Sequence, residues 1–155
     1  MSAGKSLVYA TIVSTFVLIV WGAYLTAGDW GNACGVSGAL VSNDWPFCNG
    51  SLAVPAGNWG ALVEYIHRTL SVVTTLFLVV TLVAVWRMKP RPGGAYRALS
   101  LSLILLLVQI ALGDVVVSSD LNAGVTALHL ANATALFGTM VISGVLMHVS
   151  EKRPY

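Results

Sequence analysis

Glu64, His67 and Arg68 put three ionisable side chains within five residues of an otherwise apolar stretch, and about eighteen uncharged residues follow them. On a helix, positions i, i+3 and i+4 share one broad face, so a carboxylate, an imidazole and a guanidinium would project together. A charge inside a membrane segment costs roughly 2.5–3.5 kcal/mol on insertion scales, so such groups turn toward a bundle interior or a bound ligand. A second histidine, His129, lies in another apolar stretch. Such a pair can ligate a haem iron axially, contribute to a single metal site, or serve a structural or transport role. A zinc or copper site normally wants three or four compact ligands, and Glu64 would add its carboxylate only from the same helix turn as His67. Haem needs two axial ligands and a large apolar slot, which Gly113, Ala127, Ala131, Ala133 and Gly138 can help line. Arg68 suits a bidentate contact with either Glu64 or a haem propionate.

The elements that must position these residues are set by composition. The chain has 155 residues, 57% hydrophobic and only 9% charged, against roughly 25% charged in a soluble domain. Four apolar runs, at about 7–27, 60–86, 98–118 and 121–149, each reach the ~20 residues needed to cross a hydrocarbon core of about 30 Å. The expected fold is all-α: an integral membrane four-helix bundle in the cell membrane, a single domain over 1–155, with a long outer loop at 28–59. The first run is longer than the apolar region of a signal peptide and reads as a retained helix.

Charge sets the expected orientation. Lys5, Arg87, Lys89, Arg91, Arg97, Lys152 and Arg153, seven of the eight basic residues, fall on one side, which the positive-inside rule assigns to the cytoplasm with both termini. Topology explains the basic loop, and a net charge of +2 gives no reason to invoke nucleic acid. Cys34 and Cys48 both lie in the outer loop, on the side that is oxidising in most cells. A disulfide is expected there rather than free or metal-binding thiols, closing about 15 residues and contributing roughly 3 kcal/mol in the chain-entropy model. The loop carries six glycines, two prolines and three tryptophans. Its aromatic content suggests that it folds back over the outer mouth of the bundle.

With a rise of 1.5 Å per residue, His67 should lie about 10 Å and His129 about 12 Å below the outer ends of their helices. Both helices descend from that side, so the two imidazoles can face one another across the bundle. Gly22 and Ala23 permit close approach to a neighbouring helix. Asp114 reads as an interfacial carboxylate, and His148 as a solvated histidine at the inner end.

Taken together, Glu64-x-x-His67-Arg68, the outer-loop segment Asp44-Trp45-Pro46-Phe47-Cys48-Asn49-Gly50, Gln109-x-x-Leu112-Gly113, and His129-Leu130 followed by Ala133 resemble the haem A synthase family. Those membrane enzymes oxidise a methyl group of haem O to the formyl group of haem A. The resemblance implies His67 and His129 as axial ligands of a haem iron (haem b, haem O or haem A), Glu64 as the catalytic carboxylate, and Cys48 as half of an external disulfide; beside them Arg68 is expected, from its own chemistry, to be a cofactor-binding residue. It implies a haem O synthase as upstream donor and haem-copper oxidases as destination of the product. Family members are usually about twice this length, with eight helices in two similar halves. This chain resembles the substrate half, which suggests a homodimer in which two copies replace the two halves. The family often has a cysteine where this chain has Ser42, so pairing with Cys34 implies a larger ring.

The main alternative is a bis-histidine haem-binding membrane protein for electron transfer or haem handling without oxidase activity. Glu64 separates the two, because an electron carrier has little use for a carboxylate beside the haem. A purely structural assembly factor would leave the histidine pair and the Glu-His-Arg cluster unexplained.

Overall fold

The computed structural model describes residues 3–35, 47–48 and 50–152. The motif positions Asp44, Trp45, Pro46 and Asn49, together with Ser42 and Arg153, lie outside the described residues. Four helices follow one another: α1 (Ala3–Ala27), α2 (Trp59–Arg87), α3 (Gly93–Ser118) and α4 (Ala123–Lys152). All four are long and apolar enough to cross a membrane, and the chain is a multi-pass membrane protein.

The helix ends follow local chemistry. The side chain of Asn58 accepts the Ala61 N–H at 3.2 Å and caps α2. The side chain of Asn122 accepts the N–H groups of Gly124 and Val125, and so caps α4. That helix starts at Ala123 rather than at 121, because Asp120 (φ 54°) and Leu121 (φ 57°) are left-handed and cannot belong to a right-handed helix. The loop between α2 and α3 spans 88–92, shorter than the 87–97 left between the expected helices. Gly93 and Gly94 open α3, with Pro92 immediately before them and its carbonyl accepting the Tyr96 N–H at 3.0 Å. First-turn N–H groups lack intrahelical partners in any sequence, so the glycines end no helix here; they begin one.

Each helix packs on its two neighbours in the cyclic order α1, α2, α3, α4. Among the described residues the diagonal pairs, α1 with α3 and α2 with α4, make no Cα approach within 8 Å. Lys5 meets His148 at 3.0 Å, and Gly4 lies against Met88 and Met147. The start of α1, the α2–α3 loop and the end of α4 therefore share one end of the bundle. Val8, Leu78, Val85, Leu99, Leu106, Leu136, Met140 and Met147 fill the core of that end. Hydroxyl contacts join the helices within it: Thr11 to Thr81 at 2.7 Å, Ser14 to Thr74 at 2.7 Å, and Ser102 to Thr139 at 2.8 Å. Such bonds substitute for a hydrophobic driving force that lipid does not supply. The outward side chains, Phe16, Leu76, Ile104, Leu128 and Ile142 among them, are exposed, as a lipid-facing surface requires.

The other end is closed by the loop after α1. Trp30 tucks against Gly28 and Gly60, Asn32 donates to Asp120 at 2.8 Å, and Gly31 receives the side chain of Leu121. A Cβ on Gly31 would stand 2.6 Å from Leu121 Cδ2, so a larger residue there would have to displace the leucine side chain. The loop thus bridges both helical hairpins, and its described part folds back over the mouth as its aromatic content suggested.

Candidate functional site: a histidine pair beneath a braced cap

The packed core stops near the level of Leu78, Leu106 and Leu136. A second, smaller cluster under the cap contains Cys34, Cys48 and Ala61. Between the two lie His67, Gln109, His129 and Asn132. By helix rise, His67 is about 12 Å below the start of α2 and His129 about 9 Å below that of α4. Their helices are diagonal neighbours in the bundle, and, counted from its own helix start, each histidine lies within about 3 Å of the other in depth.

Each ring is seated on a glycine of the adjacent helix in its own hairpin. A Cβ on Gly22 would stand 2.9 Å from His67 Cε1, and one on Gly113 would stand 3.3 Å from His129 Cε1. The Trp21 indole N–H donates to Val63 O at 2.9 Å, one helical turn above His67, which locks α1 to α2 beside this seat. Nδ1 of both histidines is buried and has no hydrogen-bond partner among the described residues. A buried polar atom left unpaired costs about 1–3 kcal/mol, and a ligand site is one of the few reasons to keep such atoms. Imidazoles on opposite helices, each seated against a glycine of the neighbouring helix, fit a flat ligand held from two sides. Among the described residues no group of three His, Cys, Asp or Glu side chains that could hold a metal ion forms.

Glu64 and Arg68 form the buried ion pair that their spacing allows. Glu64 Oε1 accepts from Arg68 Nε at 3.1 Å and from Nη2 at 2.5 Å. The pair reaches further than the helix. Glu64 Oε2 accepts the Cys34 backbone N–H at 2.7 Å, and Arg68 Nη1 donates to the Phe47 carbonyl at 2.7 Å. Cys34 and Cys48 are joined in a disulfide, so the two charged side chains grip both sides of the ring that the disulfide closes. Of the two partners considered for Arg68, the structure shows Glu64.

Asp114 is half-buried, with Oδ2 buried and unpartnered among the described residues, a less solvated position than an interfacial carboxylate would have. His148 is half-buried at the opposite end and is not part of the site. Sequence reasoning missed Asn132. Its Nδ2 donates to Leu105 O at 2.9 Å and to Gln109 Oε1 at 2.6 Å, and Gln109 Nε2 lies 2.9 Å from His129 Nε2. The available signal was an amide three residues after a membrane histidine.

Fold and site together define a polytopic helical bundle with a cross-bundle histidine pair under a disulfide-braced cap. The chain belongs to the COX15-CtaA family of cytochrome oxidase assembly proteins, whose family model matches residues 2–141. A haem A synthase of Symbiobacterium thermophilum is 27% identical over 155 residues, 100% of this chain and 48% of that protein. A haem A synthase of Bacillus pumilus is 28% identical over 141 residues, 88% of this chain and 43% of its own length. A protohaem IX farnesyltransferase 1 of Natronomonas pharaonis is 31% identical over 148 residues, 96% of this chain and 29% of that protein. The chain therefore spans about half the length of the haem A synthases, and less of the farnesyltransferase. No solved structure matches it.

Proposed function

We propose that this chain binds haem between α2 and α4, with His67 and His129 as axial ligands, and takes part in the oxidation of a haem O methyl group to the formyl group of haem A. The single observation that carries the reading is the pair of glycine-seated imidazoles on diagonal helices. Haem A synthase relatives along the whole chain support it. The haem would be the substrate, and bound there it supplies both the redox-active iron and the methyl carbon to be oxidised. Water would supply the oxygen: the methyl carbon would lose two electrons and two protons on reaching the alcohol and two more of each on reaching the hydrated aldehyde, which loses water, the four electrons leaving to an electron acceptor outside this chain. The protein's part is to hold the porphyrin rigidly below the cap, exclude bulk water through the braced loop, and present Glu64 near the porphyrin edge.

The basic end of the bundle is cytoplasmic in this proposal, which puts the disulfide on the oxidising side. The similarity to a protohaem IX farnesyltransferase supports a haem O synthase as donor. A second four-helix unit, here a second copy of this chain, would supply the half that the longer relatives contain. Chemical cross-linking in membranes tests that pairing.

One observation favours a second reading, haem handling or electron transfer without oxidation. Both oxygens of Glu64 are occupied, by Arg68 and by the Cys34 N–H, so the carboxylate already has a structural task. Chromatography and mass spectrometry of haem extracted after co-production with a haem O synthase separate the two. Haem A or its hydroxylated precursor supports the synthase reading, and bound haem O that is never oxidised supports haem handling.

A further inference from the structure

We propose that Gln109 and Asn132 are positioning residues that fix the tautomer of His129, keeping the lone pair on Nε2 and covering it with the Gln109 amide until a ligand takes its place. The polarity of the relay follows from its anchor. The Leu105 carbonyl, 2.9 Å from the Asn132 side chain, only accepts, so the Asn132 atom facing it must be the amide nitrogen. The second hydrogen of that nitrogen points to Gln109 at 2.6 Å, so the Gln109 atom there must be the carbonyl oxygen. This turns the Gln109 NH₂ toward His129 Nε2 at 2.9 Å. Nε2 must then accept, and the proton of the neutral ring sits on Nδ1. Reversing either amide would set a carbonyl against a carbonyl, or an NH₂ against a second donor.

One stripe of α3 provides the whole device. Leu105, Gln109 and Gly113 follow one another at i, i+4 and i+8 and therefore face α4 together, and Asn132 stands one turn beyond His129. Gln109 sets where the ring's proton lies, while Gly113, against Cε1, sets where the ring lies. An unrestrained neutral imidazole exchanges between two tautomers. Here only the one with a free Nε2 lone pair satisfies the relay, and it leaves the Nδ1–H buried without a partner among the described residues. Ligation through Nε2 then requires no proton to leave the ring; the Gln109 amide has only to swing aside. The relay exists independently of haem, whereas its consequence for ligation rests on the function proposed above.

The test uses the full chain, haem-free and labelled with ¹⁵N-histidine, in lipid nanodiscs. Long-range ¹H–¹⁵N spectra report which ring nitrogen of His129 is protonated. The wild type should carry the proton on Nδ1. Gln109→Glu, which must present an acceptor to the ring, should move the proton to Nε2, and Asn132→Leu should yield a mixture. A wild-type proton on Nε2, or a Gln109→Glu ring still protonated on Nδ1, would overturn the relay. Titration with ferric haem provides the second readout. Gln109→Glu should weaken formation of the six-coordinate low-spin species about 10-fold or more, in the range typical of residues behind a metal ligand. Gln109→Met, which removes the cover without inverting the tautomer, should bind as the wild type does or more tightly. Equal affinity in Gln109→Glu and wild type would overturn the positioning role. The expected tautomers with no six-coordinate species even in the wild type would overturn the haem reading while leaving the relay standing.

Discussion

Gly22 of α1 lies so close to the imidazole of His67 on α2 that a methyl group in its place would stand 2.9 Å from Cε1. The same relation recurs between Gly113 and His129, at 3.3 Å. Each hairpin thus contributes one glycine from its first helix and one histidine from its second. The site is built from two similar halves that meet across the bundle axis.

Gly22→Ala should displace His67, because a ring at that distance must shift and α1 is tied to α2 beside it by the Trp21–Val63 bond. Gly113→Ala needs only a few tenths of an ångström from its neighbour. Haem content of the purified proteins, measured as the pyridine haemochrome, should fall sharply in the first variant and less in the second. An equal loss in both, or none in either, would contradict the seating described here.

Breaking the Glu64–Arg68 pair should destabilise the cap as well as the helix. Glu64 is 2% and Arg68 7% exposed, and removing one partner of a buried pair costs about 3–5 kcal/mol. Arg68→Met should lower the thermal midpoint in detergent and also speed proteolysis of the outer loop, because the contact to the Phe47 carbonyl is lost with it. A lowered midpoint with an unchanged cleavage rate would mean that the pair does not hold the loop.

Cys34 and Cys48 are 14 residues apart, and in the chain-entropy model a ring of about that size contributes about 3 kcal/mol. Replacing both with serine should lower stability by that order. It should also loosen the Cys34 N–H contact to Glu64, read as faster hydrogen exchange at that amide. Exchange as slow as in the wild type would show that the ion pair holds the loop without the disulfide.

The hydroxyl pairs of the inner core should matter less. Thr11→Val removes the contact to Thr81, and interhelical hydrogen bonds of this kind average about 0.6 kcal/mol in a membrane protein. A small midpoint shift with unchanged haem content is the expected outcome, checked by thermal unfolding beside a haem assay.

Much of this arrangement is legible in the residues themselves. Four long apolar runs fix the number of helices, and the positions of His67 and His129 within them give the two a similar depth, because helical rise converts residue count directly into distance. The two cysteines, isolated in one loop on the oxidising side, lead one to expect the disulfide that the structure holds. What cannot be read is rotation about each helix axis. The i, i+4 spacing of Glu64 and Arg68 permits their pair but does not reveal that it reaches Cys34 and Phe47. Gly22 announces a close approach without naming His67 as its neighbour. Asn132 and Gln109 meet only because α3 and α4 present particular faces to one another. The inner loop misleads for a different reason: Pro92, Gly93 and Gly94 look like a break, yet a helix can start on such residues, with Pro92 at the cap and the two glycines in the first turn.

In the function proposed here, His67 and His129 hold one haem iron from opposite sides. Electron paramagnetic resonance of the ferric haem complex in nanodiscs, compared with His67→Ala and His129→Ala, tests it most directly. A low-spin bis-imidazole spectrum in the wild type, lost in each single variant with the protein still folded, is the predicted result. A wild-type spectrum that persists when either histidine is removed would contradict it.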